Sequence, residues 1–336
     1  MIKQPANDGH PERHTGTGRV TANPLLQKTA ELAAAEGTTL LHISVCIITY
    51  KRPSLLKRLL LALQRQNTAD LFTYSVVVVD NDHHQSARVV VEEVGNASII
   101  AIAYTCEPQQ NLALARNRAI RSASGEFVAF IDDDEFPDEH WLHNLYRTWQ
   151  EHHVAGVLAP VVPHFEELPP AWIIKSGIFE RPRYKTGYVL HWDQTRTGNV
   201  LLDKRVLELD ADLFDPYFAT HGEDRDFFKR LMAKGHTFVW CDSAAVYETQ
   251  PRARLCRRYH IRRALLRGSI AYTHTPEKMR GVLTSIVAVP LYTVALPFLQ
   301  MSGHHRFMKY FVKTCDHVGR LLASCGYRVE QHMKLL

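Results

Sequence analysis

The chain has 336 residues, 46% of them hydrophobic and 22% charged, which excludes a disordered polymer and supplies one large globular domain or two smaller ones. Basic residues exceed acidic ones for a net charge of +5, and the excess gathers in the last third. Six scattered cysteines without a CxxC pair indicate neither a zinc site nor a disulfide framework, and a reducing cytoplasm fits them best.

Residues 1–41 predict a mobile polar tail with a short helix over 25–35, and the first twenty residues lack the apolar core of a secretory signal. The pattern then alternates. Apolar runs at 43–49, 75–79, 99–103 and 127–131 predict strands, and the segments at 53–66, 85–94, 111–123 and 138–150 predict helices. Pro53 suits the first turn of one helix, and Asp138, after Pro137, begins another. Fully apolar strands alternating with helices indicate an α/β fold, a mostly parallel sheet covered on both faces.

In such sheets ligands bind beyond the carboxyl ends of the strands. Thr49 and Tyr50 end the first strand, Asp80, Asn81 and Asp82 the second, and Asp132, Asp133, Asp134 and Glu135 the fourth. Residues 160–197 read as a long loop with short elements. A short strand (GNVLLD), a helix beginning HGEDRDFF, and strands at 236–240 and 244–248 follow. An Arg-rich helix over 252–267, an uncharged stretch over 281–303 and a final helix rich in Lys and His complete the chain.

Acids at the end of a buried parallel strand suit a hard divalent cation, Mg2+ or Mn2+, held by a few carboxylates and substrate phosphates. The alternative is a solvated acidic loop capping the following helix. Upstream, Asn111, Arg116 and Asn117 approach one helical face, and Arg116 offers a planar fork for a phosphate or carboxylate, whereas Arg118 and Arg121 read as a solvated face.

The ordered blocks ISVCIITYKRP, VVVVDND, QQNLALARNRAI, ASGEFVAFIDDDE and HGEDRDFFKRL resemble glycosyltransferase family 2, nucleotide-sugar-dependent inverting transferases of the GT-A fold. The likeness spans roughly 43–268 and is greatest to bacterial members of the succinoglycan glucosyltransferase type. The resemblance implies that Thr49 and the turn of Asp80, Asn81 and Asp82 hold the nucleoside, with Tyr50 and Asn111 beside them and Arg116 near the ribose or pyrophosphate. It makes Asp132 and Asp134 the DxD pair for ribose and metal, with Asp133 between them, and Asp224, next to Glu223, the general base. Many members carry two successive Asp in the second-strand turn where this chain has Asn81, which leaves the base open, with UDP-sugar the expected donor. Read without the resemblance, Glu223 and Asp224 are first-turn acids that stabilise a helix dipole by about 0.3–1 kcal/mol.

For the arginine helix three readings compete: a diphosphate clamp, a basic face against anionic lipid, and a nucleic-acid patch. The last is disfavoured because no aromatic-interleaved or helix-turn-helix pattern accompanies it. Arg254 and Arg258, at i, i+4, are the chosen acceptor or phosphate contacts. The uncharged stretch over 282–301 is about the ~20 residues that span a bilayer core, interrupted by Pro290 and Pro297. It reads as a buried helix pair or as a monotopic membrane segment, and flanking Arg280, His304, His305 and Arg306 favour the membrane.

These readings expect a tail over 1–41, a GT-A domain over 42–270 and a helical membrane-associated region over 271–336. They point to an inverting glycosyltransferase with a lipid-linked or polysaccharide acceptor at the cytoplasmic face of the inner membrane. A sugar nucleotidyltransferase and a noncatalytic carbohydrate-binding module are the alternatives. The first calls for a Gly-rich phosphate loop, where this chain has TYKRPSLL; the second gives the HGEDRD acids no reason to face the strand-end acids.

Overall fold

The computed structural model describes residues 40–207, 213–218, 222–274 and 278–327; the expected N-terminal helix and His221 lie outside them. The first half runs β1 (Leu41–Thr49), α1 (Pro53–Leu63), β2 (Phe72–Asp80), α2 (Arg88–Asn96), β3 (Ile102–Cys106), α3 (Leu112–Ser122), β4 (Phe127–Ile131), β5 (Glu135–Pro137) and α4 (Trp141–His152). It continues with β6 (Gly156–Leu158), β7 (Val161–His164), α5 (Ala171–Ser176), β8 (Asn199–Asp203), α6 (Lys204–Leu207), α7 (Glu223–Ala233), β9 (Phe238–Trp240) and β10 (Val246–Thr249). A 3-10 turn at Arg252–Leu255 leads to α8 (Arg257–His274), α9 (Lys278–Met301) and α10 (His304–Ser324).

Seven strands form one sheet in the order β3-β2-β1-β4-β8-β6-β9. Alternation along β1 decides the layers. Ile43, Val45 and Ile47 pack with Leu56, Leu59 and Leu60 of α1 and Trp141 and Leu145 of α4 on one face, while Cys46 joins Ala113 and Ala119 of α3 and Phe227 and Phe228 of α7 on the other. Both faces are therefore covered, as the apolar runs require.

Register sets the functional edge. Thr49 pairs with Asp80, and Asp80 with Cys106, so the first three strands end in one row. β8 runs antiparallel to β4 with Ile131 opposite Asn199, which brings residues 196–198 to the edge where the acidic turn begins. A second sheet, β5-β10-β7, lies beyond that turn and sets Glu248 opposite Glu135.

Three expectations are corrected. The arginine segment is not one helix, because Cys256 is extended (φ −102°, ψ 152°) between the 3-10 turn and α8, so Arg254 and Arg258 do not share a helical face. The stretch with Pro290 and Pro297 is neither a buried pair nor broken: α9 is one helix of 24 residues, and its window of greatest hydropathy is 6% buried. Arg118 is not solvated alone but bonds Glu107 at 2.8 Å.

α8 and α10 share a small core of Ala264, Met308, Val312 and Cys315, against which Trp172 of α5 packs. α8 and α10 touch backbone to backbone where a Cβ on Gly268 would lie 1.9 Å from the Asp316 carbonyl oxygen, so only glycine fits that crossing. The boundary expected at 270/271 thus falls inside α8.

Candidate active site

The acidic turn after β4 is resolved into four carboxylates with four different surroundings. Asp133 is buried and accepts from the Thr49 hydroxyl at 2.8 Å and from Arg52 Nη1 at 2.9 Å. The same Arg52 nitrogen reaches Asp134 Oδ2 at 3.1 Å, and Arg254 Nη2 stands 3.8 Å from that oxygen. Burial raises both carboxyls above their ordinary values, opposed in each by Arg52. Glu135 is fully enclosed, and burial together with Asp132 holds its carboxyl well above the usual range.

Asp132 differs. Its residue is exposed to solvent, and among the described residues its carboxylate has no hydrogen-bond or ion-pair partner. Dense surrounding protein pushes its carboxyl up to about 6; Arg116 opposes the shift, and Asp134, Asp133 and Glu248 reinforce it. Gly198, brought there by the β4/β8 pairing, leaves room: a Cβ would sit 3.0 Å from Asp132 Oδ2.

The second-strand turn is tightly knit. Asp80 accepts from the Ala87 N–H at 2.7 Å, the Tyr104 hydroxyl at 3.1 Å and the Asp82 N–H at 3.1 Å. Asn81 donates to the Glu107 and Gln109 carbonyls at 2.9 and 2.7 Å and accepts from the Asn111 N–H at 3.1 Å, so its amide ties β2 to the loop after β3. Asn111 caps α3, accepting from the Ala113 and Leu114 N–H groups at 3.0 and 3.2 Å, and donates to Pro216 O at 2.9 Å. Tyr50 is exposed at the rim, with Lys51 Nζ 5.0 Å from its ring centroid.

Arg116 is buried. Its Nη1 bonds Glu223 Oε1, and the guanidinium carbon lies 5.6 Å from the Phe214 ring centroid. One arginine therefore links the strand-end acids to the start of α7. Three acids occupy that first turn: Glu223 is taken by Arg116, Asp226 by Arg230 at 2.8 Å, and Asp224 has no cation within salt-bridge reach among the described residues. Among the described residues the Asp224 carboxylate accepts only its neighbour's N–H, from Arg225 at 2.8 Å. Phe227, Phe228 and Leu231 bury the other side of α7 and fix the turn in place.

Four charged groups here escaped the sequence reading: Arg52, Arg181, Arg196 and Glu248. Arg52 stands two residues beyond Tyr50 and neutralises part of the turn. Glu248 of β10 gathers Arg181 at 2.6 Å and Arg254 at 3.2 Å beside Glu135. Arg196 has no hydrogen bond or ion pair among the described residues; burial pushes its guanidinium below its ordinary value, Arg181 adds to that, and Asp224 opposes it. The signal for Arg196 was the RTGN run directly before a strand that pairs with β4. Arg258 is exposed on α8, apart from Arg254.

The described residues contain no group of three or more His, Cys, Asp or Glu side chains that would cage a metal ion. The donor set is one exposed carboxylate, Asp132, with Asp134 shared with Arg52. That suits a cation completed by water and substrate phosphate oxygens, as Mg2+ and Mn2+ prefer, and not a protein cage.

The family model described as Glycosyl transferase family 2 matches residues 44–212, half of the chain, from β1 to beyond β8. This chain is a family 2 glycosyltransferase. The transferase is 31% identical over 250 residues to the succinoglycan biosynthesis protein ExoM of Rhizobium meliloti, across 72% of this chain and 78% of ExoM. Among solved structures it is similar to the mannosyltransferase PcManGT from Pyrobaculum calidifontis, in complex with GDP-Man and Mn2+, with a TM-score of 0.57 at 17% identity over 90% of this chain and 93% of that one. The S. aureus TarS fragment in complex with UDP-GlcNAc gives a TM-score of 0.50 at 17% identity, covering 85% and 91%. The fold is GT-A, with a C-terminal apolar helix added.

Proposed function

We propose that this glycosyltransferase moves a sugar with inversion from a nucleoside diphosphate, UDP foremost, to a hydroxyl of a lipid-linked or polysaccharide acceptor in exopolysaccharide assembly. The observation that carries the mechanism is at the start of α7. Of its three acids, Asp224 alone lacks a cation partner among the described residues, while Glu223 and Arg116 lock the turn against the strand-end acids. Asp224 accepts the acceptor's hydroxyl proton as that oxygen forms its bond to the anomeric carbon and the bond from that carbon to the diphosphate breaks.

Thr49, Tyr50, Asp80, Asn81, Asp82 and Asn111 form the nucleoside side of the cleft. The bonding of Asn81 and Asn111 supports a shaping role for both, with the base read by backbone groups they hold. Arg196, beside Arg181 and Asp224, faces negative charge on the substrate; Arg254 steadies Asp134. Asp132, with Asp134, would hold a divalent cation, which neutralises the departing diphosphate when bound.

Residues 42–270 carry the chemistry, and 271–336 attach it to the cytoplasmic face of the inner membrane, with α8 shared between them. Leu283, Val287, Leu291, Val294, Phe298 and Met301 recur at helical spacing on α9 and are all more than half exposed, which supports a stripe that enters lipid. Release of nucleoside diphosphate by purified protein, from a panel of nucleotide sugars with extracted lipid-linked acceptors, tests the reading. No acceptor-stimulated release from any donor would contradict it.

A further inference from the structure

At the start of α9 three helices leave a cavity of about 250 Å³, lined by Tyr272 of α8, by Lys278, Arg280, Gly281 and Thr284 of α9, and by Arg320 of α10. Three cations therefore meet around one opening. Lys278 Nζ lies 5.6 Å from the Tyr272 ring centroid. Arg320 Nη1 donates to the Gly281 carbonyl oxygen at 3.3 Å, and a Cβ on Gly281 would lie 3.4 Å from that nitrogen, so glycine lets the guanidinium rest against α9. Neither Lys278 nor Arg320 has a carboxylate within 4.0 Å among the described residues. Asp316, one turn before Arg320, is bonded to Arg267 instead.

An ammonium and guanidinium groups around a small cavity, with the first N–H groups of a long helix beside them, match a phosphate better than any other common ligand. Position narrows the source. The exposed apolar stripe of α9 begins at Met279, in the same first turn as Lys278, Arg280 and Gly281, so a helix whose stripe lies in lipid carries this cavity at the depth of the headgroups. We propose that the cavity holds the phosphate of an anionic phospholipid headgroup and so fixes where α9 meets the bilayer. The proposal rests on the membrane-attachment reading above.

Flotation of the full chain with vesicles of phosphatidylcholine, alone or with phosphatidylglycerol, tests it. Wild type is expected to favour the phosphatidylglycerol vesicles. The Lys278→Gln/Arg320→Gln variant should lose about 30-fold in partition onto them, since each basic group near an anionic surface contributes roughly fivefold. Thr284→Trp, which fills the cavity without changing charge, should lose the same preference. A control pair, Arg257→Gln/Lys313→Gln, removes two exposed charges outside the cavity and should cost less than about threefold.

Equal losses in the cavity and control pairs, or an unchanged preference in Thr284→Trp, would overturn the site in favour of diffuse attraction. Binding of inorganic phosphate or a short polyprenyl diphosphate to lipid-free protein, lost in the cavity variants while vesicle preference stays, would overturn the headgroup as its occupant. Failure of wild type to float with either vesicle would instead remove the membrane reading on which the proposal stands.

Discussion

Arg116 of α3 and Glu223 of α7, 107 residues apart in the chain, form a buried ion pair whose arginine also stabilises the Asp132 carboxylate. Removing one partner of such a pair leaves an uncompensated buried charge and costs about 3–5 kcal/mol. Arg116→Met and Glu223→Gln should therefore each lower unfolding stability by about that amount, the second because the buried guanidinium cannot shed its charge. Urea denaturation of the two variants measures this, and small losses in both would mean that the pair holds nothing together. Arg116→Lys keeps the charge but loses the fork, so it should weaken donor binding in titration calorimetry.

The acidic turn makes stability depend on pH in an unusual direction. Asp132 keeps its proton in the folded chain up to about pH 6, against an ordinary value of 3.8. Between those values the folded state binds more protons than the unfolded one, so this contribution is full below the lower value and is lost as pH rises through the upper one. Asp133, Asp134 and Glu135 shift in the same direction. Metal-free protein should lose melting temperature between about pH 4 and 7 from this cluster, and Mn2+ should restore it above pH 6 but not at pH 5. Asp132→Asn should flatten the loss and abolish the Mn2+ effect. A Mn2+ stabilisation equally large at pH 5 would place the ion elsewhere. Arg52→Gln, which removes the cation bonded to Asp133 and Asp134, should move the loss to higher pH.

Fractionated cells should hold the chain in the membrane pool, with high salt removing it only in part, because the α9 stripe and the basic groups act together. Val287→Asp/Val294→Asp, at two exposed positions of the stripe, should move it to the soluble pool without a change in the melting temperature of the catalytic part. Full recovery of wild type in the soluble fraction at low salt would leave the stripe without a lipid role.

Much of this site was legible because its residues fall where apolar runs stop. The ends of β1, β2 and β4 were readable from Ile and Val runs, and their row follows from parallel pairing. Asp224 was singled out by the resemblance of the HGEDRDFF block to the family, and the structure sets it at the start of α7 with Phe227, Phe228 and Leu231 buried behind it. What stayed hidden depends on contacts between distant segments. The Arg116–Glu223 pair joins elements whose approach no local pattern encodes, and Glu248 reaches the acids only through β5, a strand of three residues. Arg196 sat in a long loop, and its place became readable only when β8 proved antiparallel to β4. Pro290 and Pro297 favoured a break in α9, but packing along α10, including the Tyr292–Tyr310 ring contact at 5.7 Å, accompanies a continuous helix.

The central claim is that Asp224 takes the acceptor's proton, and the most direct measurement is single-turnover transfer by Asp224→Asn at saturating donor and acceptor. Asparagine keeps the size and the bond from the Arg225 N–H but accepts no proton. Loss of a general base typically costs about 10²–10⁴-fold. The variant should lose transfer by that factor while donor affinity and melting temperature stay at wild-type values. Near-wild-type transfer by Asp224→Asn would contradict the account.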